Sequence, residues 1–398
     1  MRILQLSNKA PYPTNDGSSI AIYTLAEGIA DAGVELHLLT INTKKHFKPD
    51  DTVPVNFKEK THYRSVYQNT DTTFIGAFKN LFSKHSYFVS RFFFKEFKKA
   101  LFNTLKETTF DIIQLEGVFM ASYIPAIKHY SKAKIVIRTH NLEHQIWERH
   151  LVNEKNLLKK IYLTLQNNRL KKFELNAFSE ADAIVTITEE DKKSMALLTN
   201  KTPLYTCLTG INLTDYKPVH EPKSPGTVFH FASMDWMPNE EAVDWLLDTV
   251  WNDVLKQQPG AKLILAGRGM PAKFKRLASN TIIIKENVKS SPEFYSEHDI
   301  MLVPLWSGSG LRIKLVEGLA YGKPIITTSI GAEGIPYTNG KHLIIADTKK
   351  EFSDAIVSLL TDSSKKQMLQ SNARKLAEEQ FNYKTIAADL ILFYKSLR

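Results

Sequence analysis

The chain runs to 398 residues, too long for one ordinary hydrophobic core, so two domains are the first expectation. Hydrophobic residues make up 43% and charged residues 24%, and the lone cysteine, Cys207, excludes an intrachain disulfide framework and fits a reducing compartment. The net charge of +10 favours a polyanionic neighbour such as an anionic membrane surface or a phosphorylated substrate; no metal-spaced Cys/His pairs or RNP-type aromatic strand speak for nucleic acid.

The first residues, MRILQLSNKAPYP, hold too short an apolar run for a signal peptide, and no stretch approaches the roughly 18–20 apolar residues of a bilayer span, so a cytoplasmic protein is expected. Residues 2–7 predict a buried strand. After a Pro-rich turn and the stretch Asn15-Asp16-Gly17-Ser18-Ser19, the spacing of Ile20, Leu25, Ile29 and Ala32 predicts a helix closed by Gly33. VELHLLTI follows as a second strand, which makes a β-loop-α-β opening of a parallel sheet. Asp111–Leu115, Lys134–Thr139 and Ala183–Thr188 continue the strands, with a helix over Ala121–Tyr130 and a long polar helix from Glu143. The proline-bearing stretch Thr209–Pro225 is the natural linker. The pattern then restarts with strands at Val228–Ala232, Lys262–Ala266, Thr281–Ile284, Ile300–Pro304 and Pro324–Thr328. The chain ends in an amphipathic run, Lys384–Leu397, that needs a surface to pack on. The expectation is an α/β protein of two Rossmann-like, doubly wound domains facing across a cleft. The first spans residues 1–208, with the C-terminal helix 384–398 packing back on it, and the second spans residues 209–383.

Ligands of such sheets sit at the carboxyl ends of the strands, and the most informative loop there runs from Trp306 to Pro324. A strand ends at Pro304, a Ser/Gly loop follows, and a helix is expected from Gly310 or Leu311. Free N–H groups at a helix start make an anion site. Arg312 and Lys314 add two cations, unfavourable to the helix dipole unless an anion lies between, and a diphosphate would supply it. Glu317 follows at i+3 from Lys314, where a carboxylate could accept two ribose hydroxyls. Residue chemistry alone leaves a flexible turn and a solvated helix face equally open.

This stretch and its continuation to Ile335 resemble the donor-site signature of the family 4 (group 1) retaining glycosyltransferases, which have the GT-B fold. Glu317 matches the glutamate that in the family binds the ribose of the sugar nucleotide. Ser309 stands where the family has its first glutamate, a departure that touches the contact to the transferred sugar's hydroxyls. Phe231–Glu240 is similar to the first loop of the family's donor domain but carries no base between Ser233 and Asn239, which leaves the diphosphate to Arg312 and Lys314 with the backbone of Gly310 and Leu311. Asn287–Tyr295 is similar to the base-binding loop, with backbone near Val288 reading the base. Leu208–Pro218 is similar to the domain-crossing segment. Gly17 matches the family's glycine loop, and His140, directly after a strand, takes the position of its active-site histidine. Asp16 and Asn141 are acceptor or sugar-contact candidates, and His144 is read as structural or acceptor-facing.

The resemblance implies a metal-independent retaining transfer from a UDP- or GDP-linked sugar, with no cofactor. The acceptor would be a glycan, glycolipid or cell-envelope precursor. Residues 78–106 interleave phenylalanines and tyrosine with lysines and arginine, which reads either as a dock for an anionic membrane surface or as a helix pair packed on the first sheet. Two rivals stay open on the same fold, a sugar-nucleotide 2-epimerase and a non-catalytic sugar-nucleotide-binding protein. A dinucleotide oxidoreductase is disfavoured, because the first loop lacks G-x-G-x-x-G and no acid closes the second strand.

Overall fold

Short apolar runs separated by helix-length segments become parallel strands, because helices can then cover both faces and leave only strand ends to water. The computed structural model describes residues 1–14, 16–44, 47–199, 202–218, 221–308 and 310–398, so Ser309 lies outside the described residues. The chain divides into two units, Met1–Gly210 with Tyr383–Arg398, and Ile211–Asn382.

The first unit holds β1 (Arg2–Ser7), β2 (Glu35–Thr43), β3 (Arg64–Gln68), β4 (Ile112–Glu116), β5 (Lys134–Thr139), β6 (Ala183–Thr186) and β7 (Leu204–Thr206), in the order β3-β2-β1-β4-β5-β6-β7. Every pairing is parallel. Leu4, Leu6, Ile113, Leu115 and Ile137 face a core completed by Phe97, Leu101 and Ile127, whereas Ile3, Ile112 and Val136 face Leu25, Ile29, Leu390 and Tyr394. The second unit holds β8 (Thr227–Phe231), β9 (Lys262–Gly267), β10 (Ile282–Glu286), β11 (Ile300–Val303), β12 (Ile325–Thr327) and β13 (Ile344–Ile345), in the order β10-β9-β8-β11-β12-β13. Its pairings are parallel as well.

Some expectations need correcting. β3, β7 and β13 were not anticipated: each is short and only partly buried, so none shows the apolar run that marks a central strand. The helix expected over Ala121–Tyr130 is a 3₁₀ segment, Val118–Tyr123, followed by an α-helix, Ile124–Tyr130, with Pro125 in its first turn where a missing N–H costs nothing. The long helix from Glu143 is two helices, Glu143–Asn153 and Leu157–Glu180, the second capped by Asn156. In the basic aromatic segment, Phe88, Phe92 and Phe97 are core residues. Its exposed residues include Phe78, Lys79, Phe82 and Lys84, and further on Phe93, Lys95, Lys98 and Lys99. Among the described residues no helix is long and apolar enough to cross a membrane.

The C-terminal helix, Tyr383–Ser396, packs on the first helix, Gly17–Asp31, inside the first unit. The crossing is close: a Cβ at Gly28 would stand 2.8 Å from Ala387 Cβ and 2.8 Å from the Tyr383 carbonyl oxygen. Gly28→Ala therefore has to push the two helices apart, and is expected to lower stability by about 1–3 kcal/mol in urea unfolding. A change within a few tenths would show that the helices move freely there.

Candidate active site

At the carboxyl end of β11 the chain leaves the sheet and enters the helix Ile313–Ala320. Gly308 takes φ of 110° in the connecting loop. A Cβ there would lie 3.0 Å from Arg312 Nη2 and 3.0 Å from the Trp236 ring, so the packing of loop, guanidinium and indole requires glycine. Arg312 is the N-cap residue and is 5% exposed. Its Nη1 donates to the Gly310 carbonyl at 2.6 Å, its Nη2 stands 3.8 Å from the Glu333 carboxylate, and its guanidinium lies 5.7 Å from the centre of the Trp236 ring. Among the described residues no side chain caps this helix, so its positive end is open to an external acceptor.

Lys314 Nζ donates to Asn239 Oδ1 at 2.6 Å, and Asn239 Nδ2 donates to the Ser233 carbonyl at 2.7 Å, which ties the helix to the loop after β8. Burial, with the neighbouring Arg312 charge, pulls the ammonium down to about 7. Buried His230 gives its Nδ1 to the Leu302 carbonyl at 2.9 Å, and burial together with Lys314 pulls it to about 3, so it is neutral at physiological pH. Glu317, one turn beyond Lys314, meets the Tyr216 hydroxyl at 3.3 Å. Burial pushes its carboxyl up to about 7 against that hydrogen bond. Tyr216 leans on Tyr321 at 5.0 Å, and Tyr321 stacks on Tyr295 at 4.3 Å. One short segment thus carries two cations and a carboxylate, one buried and two half-buried, without a tight ion pair between them.

Arg312, Lys314, Glu317 and the half-buried Gly310 and Leu311 come together on this loop and helix start. The helix begins at Ile313, slightly later than expected, because the glycine-rich stretch before it stays non-helical. Val288 is half-buried in a different loop, between β10 and the helix Ser291–Glu297, after Asn287 in the left-handed region at φ 49°.

In the first unit, Gly17 opens the first helix and Asp16 caps it, accepting from the Ser19 N–H at 3.0 Å and pairing with Lys9. His140 follows β5, and its Nε2 lies 2.7 Å from Glu116 Oε2 at the end of β4. Glu116 is fully buried and also receives Arg138 Nη1 at 3.2 Å and Gln5 Nε2 at 2.8 Å, with Gln114 alongside. Burial pushes this carboxyl up, but Arg138 and His140 together override it and hold it below the usual range. Tyr394 of the C-terminal helix donates to Gln114 Oε1, which joins that helix to the network. Asn141 is half-buried beside His140. His144 is buried, with Nδ1 2.5 Å from Glu174, whose carboxylate also accepts the Glu143 and His144 N–H groups.

Sequence reasoning missed Glu116, Tyr216, His230 and Asn239 as parts of these clusters. Glu116 and Arg138 carried a usable signal, since each is a charge inside an otherwise apolar strand. Tyr216 had none, because its partner is distant in sequence. Among the described residues no group of three or more His, Cys, Asp or Glu is placed to hold a metal ion.

Comparison with known proteins places a family model described as "Glycosyl transferases group 1" on residues 225–362, within the second unit. A 44.6 kDa protein in the cps region of Klebsiella pneumoniae is 23% identical, over 98% of each chain. Among solved structures, sucrose-phosphate synthase from Thermosynechococcus elongatus superposes with a TM-score of 0.72 at 15% identity, over 100% of this chain and 99% of that one. Anabaena HepE, solved in complex with UDP, superposes with a TM-score of 0.65 at 14% identity over 100% of both. These likenesses show the fold, and the two-sheet α/β architecture is GT-B.

The buried Glu116 and the half-buried Glu317 predict opposite responses to substitution. Glu116→Ala strands the Arg138 charge and is expected to cost about 3–5 kcal/mol. Glu317 is protonated in both states at low pH; as pH rises through its ordinary range and then through about 7, the unfolded chain ionises first and the fold loses stability. Glu317→Gln is therefore expected to be the more stable protein by on the order of 2–3 kcal/mol at about pH 8, the gain vanishing below about pH 4.5. Denaturant titrations across that range check both signs, and a Glu317→Gln variant less stable at every pH contradicts the account.

Proposed function

We propose that the protein is a glycosyltransferase that moves a sugar from a UDP-linked donor to a hydroxyl acceptor with retention of anomeric configuration. The observation that carries this reading is the single helix start at which Arg312, Lys314 and Glu317 converge beyond a parallel strand. A buried and a half-buried cation at an uncapped helix N-terminus suit a diphosphate, and a half-buried carboxylate one turn on suits ribose hydroxyls. The group 1 match covers these residues, and HepE was solved with UDP, which supports the choice of donor. The second unit is then the donor domain and the first the acceptor domain. Val288 backbone would meet the base, and Gly17 would approach the donor phosphates. Asp16 is the weaker contact, since its carboxylate is engaged by Lys9 and by the helix start.

The reaction follows from where charge develops. The bond between C1 and the diphosphate oxygen breaks, and the acceptor oxygen attacks C1 from the same face. The acceptor hydroxyl's proton passes to the departing diphosphate. Helix N–H groups, Arg312 and Lys314 stabilise that leaving group in a site with little water, where such contacts act most strongly. His140, held through Nε2 by Glu116, presents its remaining nitrogen to the sugar or acceptor, with Asn141 beside it. An anionic membrane surface would be met by the exposed Phe78, Lys79, Phe82 and Lys84 and would suit a lipid-linked acceptor.

Donor binding needs Glu317 ionised and Lys314 protonated, and both titrate near 7. UDP-glucose affinity is therefore expected to peak near neutrality and to fall by up to about tenfold per pH unit on either side. Calorimetry across pH checks this. Glu317→Ala should abolish binding, and Lys314→Met should weaken it and remove the alkaline limb. Equal affinity in wild type and Glu317→Ala would sink the donor-site assignment.

A further inference from the structure

The first unit has a second polar recess that the donor chemistry does not use. A cavity of about 360 Å³ opens at the carboxyl ends of β1 and β2 and the chain beyond β3, lined by Asn8, Lys9, Thr43, Thr70, Thr72 and Arg91. Its size lies within the range of ligand pockets, about 300–1,000 Å³, and its place is where parallel sheets bind ligands.

The charges around it do not all close on themselves. Lys9 pairs with Asp16, and Asp71 on the cavity wall pairs with Lys44 at 2.7 Å. Arg91 differs. Its Nε is buried without a hydrogen-bond partner among the described residues, and its guanidinium lies over the Phe92 ring at 5.0 Å. The Phe92 ring attracts the cation but offers its Nε–H no lone pair, which leaves that donor for a ligand. Burial weighs against the Arg91 charge, and the acidic groups whose fields support it are Tyr87 and Glu143; burial together with Glu174 pushes the Glu143 carboxyl up to about 7, so that support is incomplete. Thr43 Oγ1, also on the wall, is buried without a partner among the described residues.

We infer that this cavity is the acceptor site and is built for a sugar that carries an anionic group, with Arg91 as its counter-charge and Thr43 as a hydroxyl partner. This rests on the glycosyltransferase reading and names the substrate class for it. A neutral sugar would satisfy the threonines but leave the half-buried guanidinium without an acceptor. A carboxylate or a phosphate monoester supplies paired oxygens that match its fork.

NMR titrations of the full chain with glucuronate, glucose 6-phosphate and methyl glucoside test this, alongside UDP-glucose calorimetry on the same samples. Wild type is expected to bind at least one anionic sugar about tenfold or more tighter than methyl glucoside, a preference that shrinks with added salt. Arg91→Ala should lose the preference, and Arg91→Lys should keep part of it, which shows that the charge and not the fold is at issue. UDP-glucose affinity should be unchanged in both. Selectivity for glucuronate assigns a uronic-acid acceptor, and selectivity for glucose 6-phosphate a phosphorylated one. Equal binding of neutral and anionic sugars, or a preference that survives Arg91→Ala, overturns the inference while leaving the donor reading intact. Loss of UDP-glucose binding in the wild type would instead sink the donor reading.

Discussion

A parallel sheet covered by helices on both faces has nowhere to expose polar chemistry except at the ends of its strands. Both units obey this constraint, and it decides where function can sit. Within the strands, Ile3, Ile113, Ile137, Val228, Leu265 and Leu302 are buried to near zero exposure. At the carboxyl ends the composition changes: Glu116 and His140 in the first unit, and Arg312, Lys314 and Glu317 in the second, bring charge to the place where the apolar runs stop. Among the described residues, the Glu116–His140 cluster sits at such an end, and the Arg312–Glu317 cluster sits on the loop and helix start that follow one.

Burial treats the charges there in two ways. Glu116 is matched by Arg138, His140 and two glutamines, so its charge is retained and the site is rigid. Glu317 and Lys314 lack such matching and are drawn toward neutrality. The first arrangement suits a framework that orients a histidine. The second suits a pocket that recovers its charges when a ligand of opposite sign and suitable hydroxyls arrives, because the ligand replaces the missing partners. A protein that kept both sites fully paired would hold itself together better and bind less well.

Much of this was legible in the residues. Central strands announced themselves as apolar runs, and the Ser/Gly loop running into Arg312, Lys314 and Glu317 marked its own position. What stayed hidden depended on pairings distant in the chain. Tyr216 reaches Glu317 and Asn239 reaches Lys314 only once the second sheet is formed. The segment 78–106 has the same pattern of aromatics and cations whether it coats a core or faces a membrane, and only the fold shows that Phe88, Phe92 and Phe97 are core residues while Phe78, Phe82 and Phe93 are exposed. The edge strand β3 was invisible because a half-exposed strand needs no hydrophobic run.

The return of Tyr383–Ser396 to the first unit has a consequence for how the protein is made. The chain emerges from the ribosome with β1 to β7 first, yet the face bearing Ile3, Ile112 and Val136 is covered only in part, by Leu25, Ile29 and Phe57, until Leu390 and Tyr394 arrive. The second unit, one uninterrupted segment from Ile211 to Asn382, can close before that happens. The nascent first unit must wait through the synthesis of its neighbour with that apolar face partly uncovered, and a stop codon only slightly early would leave it so permanently.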